Sequence, residues 1–286
     1  MAVAEGGDAM TDRPLPWFGA GQDPGPSFSE LLARTMPEAR RDTHGPEAAS
    51  VGGGHEHVPH GTTIIAIHYA EGVVMAGDRR ATSGLQIAGR RMEKLQAADS
   101  HSGVAIAGAA GPAMELVRLF QTELEHYEKI EGMPLSLDGK ANHLARLIRG
   151  NLPAAMQGFV VVPLFAGYDI RHQKGRIFQY DVTGGRYEEI DFHATGSGSI
   201  HARNWIKATW RPDLPREEAV ELAINALFNA ADEDAATGGP DVVRGIYPQV
   251  ATIDASGFSM LEDHEVEERT RALLERLQSH ATGGED

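Results

Sequence analysis

From Thr62 onward the chain alternates between short runs rich in Val, Ile and Thr and longer stretches whose apolar residues recur every three or four positions. The first pattern fits strands and the second amphipathic helices. Thr62 to Tyr69 reads as a strand, Glu71-Gly72 as a turn, and Gly72 to Asp78 as the hairpin partner. Strands recur at Lys94 to Ala98 and Gly103 to Gly108. Pro112 then opens a helix carrying Leu116, Val117, Phe120, Leu124 and Tyr127 at helical spacing. A second helix places Leu137, Ala141, Leu144 and Ile148 on one face, and Gly150 and Pro153 stop it. Strands are predicted at Phe159 to Tyr168, Gly175 to Val182 and Tyr187 to Thr195, followed by helices at Ser199 to Trp210 and Pro215 to Asp232. Gln249 to Asp254 and Phe258 to Leu261 read as strands, and Glu265 to Ser279 as a charged, peripheral helix. Strands, two helices, strands, two helices, strands is the order a four-layer α-β-β-α sandwich of the α+β class needs, with two packed sheets covered by helices.

Residues 1–61 have a different character. They contain 10 Gly and 7 Pro, a density that favours disorder. One piece departs from this: Ser27-Phe28-Ser29-Glu30 fits a capping box, and Phe28, Leu31 and Leu32 fall on one helical face, a short amphipathic helix that cannot bury its own face and is either transient in a disordered tail or docked on a neighbouring chain. Val51-Gly52-Gly53-Gly54 supplies slack before the first strand.

Composition narrows the chemistry. The chain has 286 residues, enough for one large domain or two small ones, and no cysteine, which excludes disulfides, thiol catalysis and Cys-ligated zinc. A formal net charge of -15 argues against nucleic acid. The longest apolar run, Phe159 to Ala166, is far short of the roughly 20 residues of a membrane helix. The N-terminus lacks a basic and an apolar signal region, so a cytoplasmic protein is expected. His55, His57 and His60 crowd the end of the leader, but no His-Glu-x-x-His or comparable pair accompanies them, and neither metal nor cofactor is expected.

The candidate chemistry starts at Gly61-Thr62-Thr63. A cut after Gly61 would turn Thr62 into an N-terminal residue carrying a hydroxyl nucleophile and an α-amine to act as its base. Asp78 follows in Gly77-Asp78-Arg79-Arg80-Ala81-Thr82, and Lys94 in Met92-Glu93-Lys94-Leu95. Then come Ala107-Gly108-Ala109-Ala110-Gly111, Thr195-Gly196-Ser197-Gly198-Ser199 and Asp234-Ala235-Ala236-Thr237-Gly238-Gly239. In this order and spacing the segments resemble the proteasome β subunits, threonine proteases of the N-terminal nucleophile class, and the long leader most resembles the actinobacterial branch. The resemblance covers residues 62 to about 262 and implies the same α-β-β-α fold, with the nucleophile at the tip of the first strand.

It also implies roles. Residues 1–61 would be a propeptide removed by autoprocessing, and 62–286 the catalytic domain. Thr62 would attack the scissile carbonyl while its amine, of pKa about 7.7 to 8.0, takes the proton. Lys94, kept charged by Asp78 while partly buried, would disfavour amine protonation and stabilise negative charge on the hydroxyl oxygen. Ser197 and Asp234 match positions that orient the amine and shuttle protons. Thr237 stands where the family usually has serine, so an extra methyl has to fit. Ser199 is a candidate N-cap. The Gly108 N–H matches the oxyanion-hole donor. Ala81, Thr82, Met92, Gln96, Ile106, Ala110 and Met114 match positions that line the substrate pocket, apolar and adaptable apart from the polar wall of Gln96.

The partners implied are proteasome α subunits and further β subunits in seven-membered rings of a 28-subunit core, a ring-shaped ATPase regulator, and unfolded or ubiquitin-like-tagged proteins. Three rivals remain. The bacterial two-component hexameric threonine peptidase usually lacks the 61-residue leader and the Gly-Asp-Arg-Arg run. A small-amide N-terminal nucleophile hydrolase would not explain the spacing to Asp78 and Lys94. A non-catalytic ring subunit would have no need of all these residues.

Overall fold

The computed structural model describes residues 61–282, with side chains as far as Ser279. The expected helix near Ser27, the Val51–Gly54 spacer and the histidines at 55, 57 and 60 lie outside the described residues.

In chain order the elements are β1 (Thr63–Tyr69), β2 (Gly72–Gly77), β3 (Ala81–Ser83), β4 (Gln86–Gly89), β5 (Leu95–Asp99), β6 (Ser102–Gly108), α1 (Ala110–Glu131), α2 (Leu137–Gly150) and α3 (Leu152–Ala155). There follow β7 (Val161–Asp169), β8 (Lys174–Tyr180), β9 (Arg186–Glu189), β10 (Phe192–Gly196), α4 (Ser199–Thr209), α5 (Arg216–Glu233), β11 (Gln249–Asp254), β12 (Gly257–Met260) and α6 (Asp263–Thr282). One five-stranded sheet runs β10-β1-β2-β11-β12 and the other β5-β6-β7-β8-β9, with antiparallel neighbours throughout.

The sheets face each other across Ile64, Ala66, Val73, Met75, Ala105, Leu164 and Ile177. The alternate residues Ile65, Ile67, Val74 and Ala76 turn to the other side and pack with Ala219, Ala223 and Leu227 of α5. On the far sheet Val104, Ile106, Phe165 and Phe178 meet Val117 and Phe120 of α1 and Leu144 and Ile148 of α2. The result is the four-layer α-β-β-α sandwich. Because β1 and β2 are buried on both faces, they read as continuous apolar runs rather than alternating ones. Each such Ile, Leu or Phe contributes about 1.5–3 kcal/mol on burial, and Phe165 adds an edge contact to Phe120 at 5.8 Å between ring centres.

Several expectations are corrected. Tyr187 to Thr195 is not one strand: a bend at Ile190-Asp191 separates β9, paired with β8, from β10, paired with β1 in the other sheet. Both halves satisfy the same pattern, so only their partners distinguish them. Pro153 opens the short α3, since a proline in a first turn has no intrahelical N–H to lose. Likewise α1 starts at Ala110, two residues before Pro112. The hairpin β3–β4 was not predicted; it is short, and its tip residue Leu85 is fully exposed, so no burial pattern marks it. Ser199 is not the cap of α4, which starts on Gly198 without a side-chain cap. Among the described residues no helix is long and apolar enough to cross a membrane.

Candidate active site

Thr62 sits immediately before β1, at the open end of the central β1–β2 hairpin opposite its turn, and is 4% exposed. Its hydroxyl donates to the Gly61 carbonyl at 2.7 Å, and its amide donates to Ser197 Oγ at 3.4 Å. Gly61 is held on its other side by its own N–H, which donates to Thr82 Oγ1 at 2.8 Å. A side chain at 61 has no room: a Cβ there would lie 2.0 Å from the Ala236 Cβ and 2.5 Å from the Ala236 carbonyl oxygen. The peptide bond before Thr62 is thus clamped between β3 and the loop that follows α5.

Beneath it lies a fully buried ion pair. Asp78, just past the end of β2, receives Lys94 Nζ at 2.7 Å and the Thr63 N–H at 2.8 Å on Oδ1. Its Oδ2 receives the Arg80 N–H at 2.8 Å and the Gly238 N–H at 2.9 Å. The Arg80 bond closes an Asx-turn, and the Gly238 bond brings in a segment 160 residues away. Lys94 was expected to be partly buried, but both side chains are inaccessible to solvent. Burial pushes the Lys94 ammonium below its ordinary pKa, and the Asp78 carboxylate opposes that fall. Gln249, not anticipated from the sequence, fixes the lysine's backbone: its Oε1 accepts from the Lys94 N–H at 2.7 Å and the Leu95 N–H at 3.3 Å.

A second polar group flanks the threonine. Asp234 caps the C-terminus of α5, and its Oδ2 receives Ser197 Oγ at 2.5 Å and Thr237 Oγ1 at 2.6 Å. Burial pushes the Asp234 carboxyl up, but the Ser197 and Thr237 hydroxyls and the Ala236 N–H outweigh it, leaving it below the usual carboxylate range. Thr237 is fully buried with its methyl accommodated. Ser197 is tied to Thr62 by its backbone too, its N–H donating to the Thr62 carbonyl at 2.9 Å.

Gly108 ends β6 with φ +107, a conformation glycine adopts without strain; a Cβ there would lie 2.1 Å from the Val160 oxygen. Of the expected pocket residues, Ile106, Met92 and Met114 join one apolar cluster under α1. Gln96 reaches Met114, its amide 3.3 Å from the sulfur. Ile106 is closed to solvent, while Ala81, Ala110, Met92 and Met114 are half-buried. Thr82 is placed on the Gly61 amide. Among the described residues no group of His, Asp and Glu side chains is arranged to hold a metal ion.

The chain is similar in sequence to known proteins. The family profile described as "Proteasome subunit" matches residues 58–244. The chain is 56% identical over 258 residues to a "Proteasome subunit beta" of Acidimicrobium ferrooxidans, covering 89% of this chain and 91% of that one. It is 59% identical over 218 residues to one of Streptomyces griseus, covering 76% and 78%, and 57% identical over 244 residues to one of Acidothermus cellulolyticus, covering 84% and 83%. This chain belongs to the proteasome subunit family.

Proposed function

We propose that the chain is a catalytic β-type subunit of a proteasome core, a threonine endopeptidase that frees its own nucleophile by cutting between Gly61 and Thr62. The observation that carries this reading is the 2.7 Å contact of the Thr62 hydroxyl with the Gly61 carbonyl, one residue before Thr63, whose N–H donates to Asp78 of the buried Asp78–Lys94 pair. In the uncut chain the Thr62 nitrogen is a peptide nitrogen and cannot serve as a base. Thr62 Oγ1 adds to the Gly61 carbonyl carbon, the C–N bond breaks as the nitrogen takes a proton, and an ester remains. Water hydrolyses that ester, releasing residues 1–61 with a Gly61 carboxylate and leaving a free Thr62 amine and hydroxyl.

The freed amine then acts as base for the hydroxyl's attack on substrate peptide bonds, accepting its proton directly or through one water. The Lys94 ammonium lowers the cost of negative charge on the threonine oxygen and disfavours amine protonation. Ser197 and Asp234 orient the amine, and the Gly108 N–H supports the tetrahedral oxyanion. Thr82, Ala81, Met92, Gln96, Ile106, Ala110 and Met114 form the walls that receive the substrate residue before the cut. The assembly expected is two seven-membered β rings capped by α rings in the cytoplasm, fed unfolded or tagged proteins by a ring ATPase.

Intact mass and N-terminal sequencing of the assembled protein test this. A mature chain starting at Thr62 is expected, while Thr62→Ala keeps the leader and hydrolyses no peptide. A normally processed Thr62→Ala chain, in a host without a protease able to trim it, would overturn self-cleavage.

A further inference from the structure

The second threonine of the Thr62-Thr63 pair has no part in the reading above, yet its polar groups are all spent inside the site. Thr63 is fully buried. Its N–H donates to Asp78 Oδ1 at 2.8 Å, the oxygen that also holds Lys94 Nζ. Its hydroxyl oxygen lies 2.6 Å from Thr237 Oγ1 and accepts the Gly198 N–H at 3.1 Å. Thr63 therefore bonds both halves of the site, the ion pair through its backbone and the Asp234 group through its side chain.

Counting hydrogens gives this network a single direction. A carboxylate only accepts, so Thr237 and Ser197 each give their one hydroxyl hydrogen to Asp234 Oδ2. With its hydrogen spent, Thr237 must accept from Thr63, and Thr63 in turn accepts from Gly198. Ser197, its hydrogen spent on Asp234 at 2.5 Å rather than on the Thr62 carbonyl at 3.5 Å, is left as the acceptor for the Thr62 nitrogen. The α4 N-terminus closes tightly on the chain: a Cβ at Gly198 would lie 2.5 Å from Thr63 Oγ1 and 2.7 Å from Thr237 Oγ1.

We propose that Thr63 is a positioning residue for this site: its hydroxyl sets the direction of the chain Gly198 N–H, Thr63, Thr237, Asp234, and thereby keeps the Ser197 lone pair turned toward the Thr62 nitrogen. Without that hydroxyl, Thr237 loses its donor and can turn, Asp234 is held less firmly, and Ser197 is free to point its hydrogen at the Thr62 carbonyl. The amine then lacks the acceptor that aims its own lone pair at the hydroxyl. This inference rests on the threonine-peptidase reading and adds a residue to it.

The test uses the full chain, assembled with its ring partners, in Thr63→Val and Thr63→Ser forms, with a fluorogenic peptide as substrate. Val keeps the branched shape and removes the hydroxyl. Thr63→Val is expected to lose at least about tenfold in kcat with KM within about twofold, the split of a lost orienting contact rather than of lost substrate binding. Release of residues 1–61, followed by mass, slows with it, and Thr63→Ser restores most of both. Adding Thr237→Val to Thr63→Val should cost little more than the worse single change, because both cut one chain of bonds. Equal kcat in wild type and Thr63→Val, equal losses in Val and Ser, or additive losses in the double variant would each overturn the proposal. If Thr63→Val does not assemble, Thr237→Val breaks the same chain from the other side, and wild-type kcat there would overturn it as well. A wild-type particle without peptidase activity would remove the underlying reading and this inference together; an active wild type matched by Thr63→Val removes only the inference.

Discussion

Removing either partner of the Asp78–Lys94 pair abolishes the same ion pair, but the two removals leave different groups behind. In Lys94→Met the carboxylate stays buried with three backbone donors still in place, Thr63, Arg80 and Gly238, at 2.8, 2.8 and 2.9 Å. Asp78→Asn is worse on two counts. Each Asp78 oxygen accepts two donors, so an amide NH2 in place of either one faces two N–H groups, and the Lys94 ammonium is left without its carboxylate in a site closed to solvent. Breaking a buried pair costs about 3–5 kcal/mol. Lys94→Met belongs at or below the low end of that range and Asp78→Asn at the high end, a gap of about 2 kcal/mol. For a domain of this size, the gap is about 4–8 °C in melting temperature. Neither variant should process its leader, so the comparison is made calorimetrically on unprocessed chains, with Thr62→Ala as the equally unprocessed reference. Peptidase activity should be lost in both, because without release of the leader Thr62 has no free amine to act as base. Lys94→Arg should rescue little, because a planar guanidinium does not fit a place built for one compact ammonium. An Asp78→Asn chain as stable as Lys94→Met, or a Lys94→Met particle with wild-type turnover, would show that the pair is not the charged centre argued for here.

Three further outcomes are expected. Gly61→Val should slow or stop release of the leader, read by intact mass, because its Cβ would lie 2.0 Å from the Ala236 Cβ; normal processing would show that the clamp yields easily. Peptides with large apolar or aromatic residues before the cut should be hydrolysed faster than acidic ones, given walls of Met92, Met114, Ile106, Ala81 and Ala110, and the reverse order would sink that assignment. His193, near Glu189 and Thr195, is pushed down to about 4 by burial and by Arg203. Its folded pKa lies below the unfolded 6.5, so the folded state binds fewer protons in between, and stability should be lost as pH falls from 6.5 toward about 4. Denaturant melts of His193→Gln should be flatter than wild type across that window, and an unchanged slope would count against a neutral buried imidazole.

Much of the architecture was legible because it is local. β1 and β2 announce themselves by continuous apolar runs, and α1 and α2 by helical spacing, whatever they pack against. Which sheet a strand joins is not local: β9 and β10 share one pattern and part company only through the pairing of β9 with β8 and of β10 with β1. The site divides the same way. Thr62, Asp78 and Lys94 could be picked out by order and spacing, whereas Gln249 acts across 155 residues and has no sequence signal of its own. Thr63 was hidden by being ordinary, since a β-branched residue at the start of a strand needs no functional explanation.

The four donors on Asp78 come from positions 63, 80, 94 and 238, so this carboxylate is where the start of β1, the turn after β2, the start of β5 and the loop after α5 are tied together. The bonds that would hold Lys94 charged are thus the bonds that close this end of the sandwich. It follows that chemistry and folding cannot be separated by changing Asp78, which serves both, but can be separated at Lys94 and at Thr63, each of which leaves the backbone ties to the carboxylate intact.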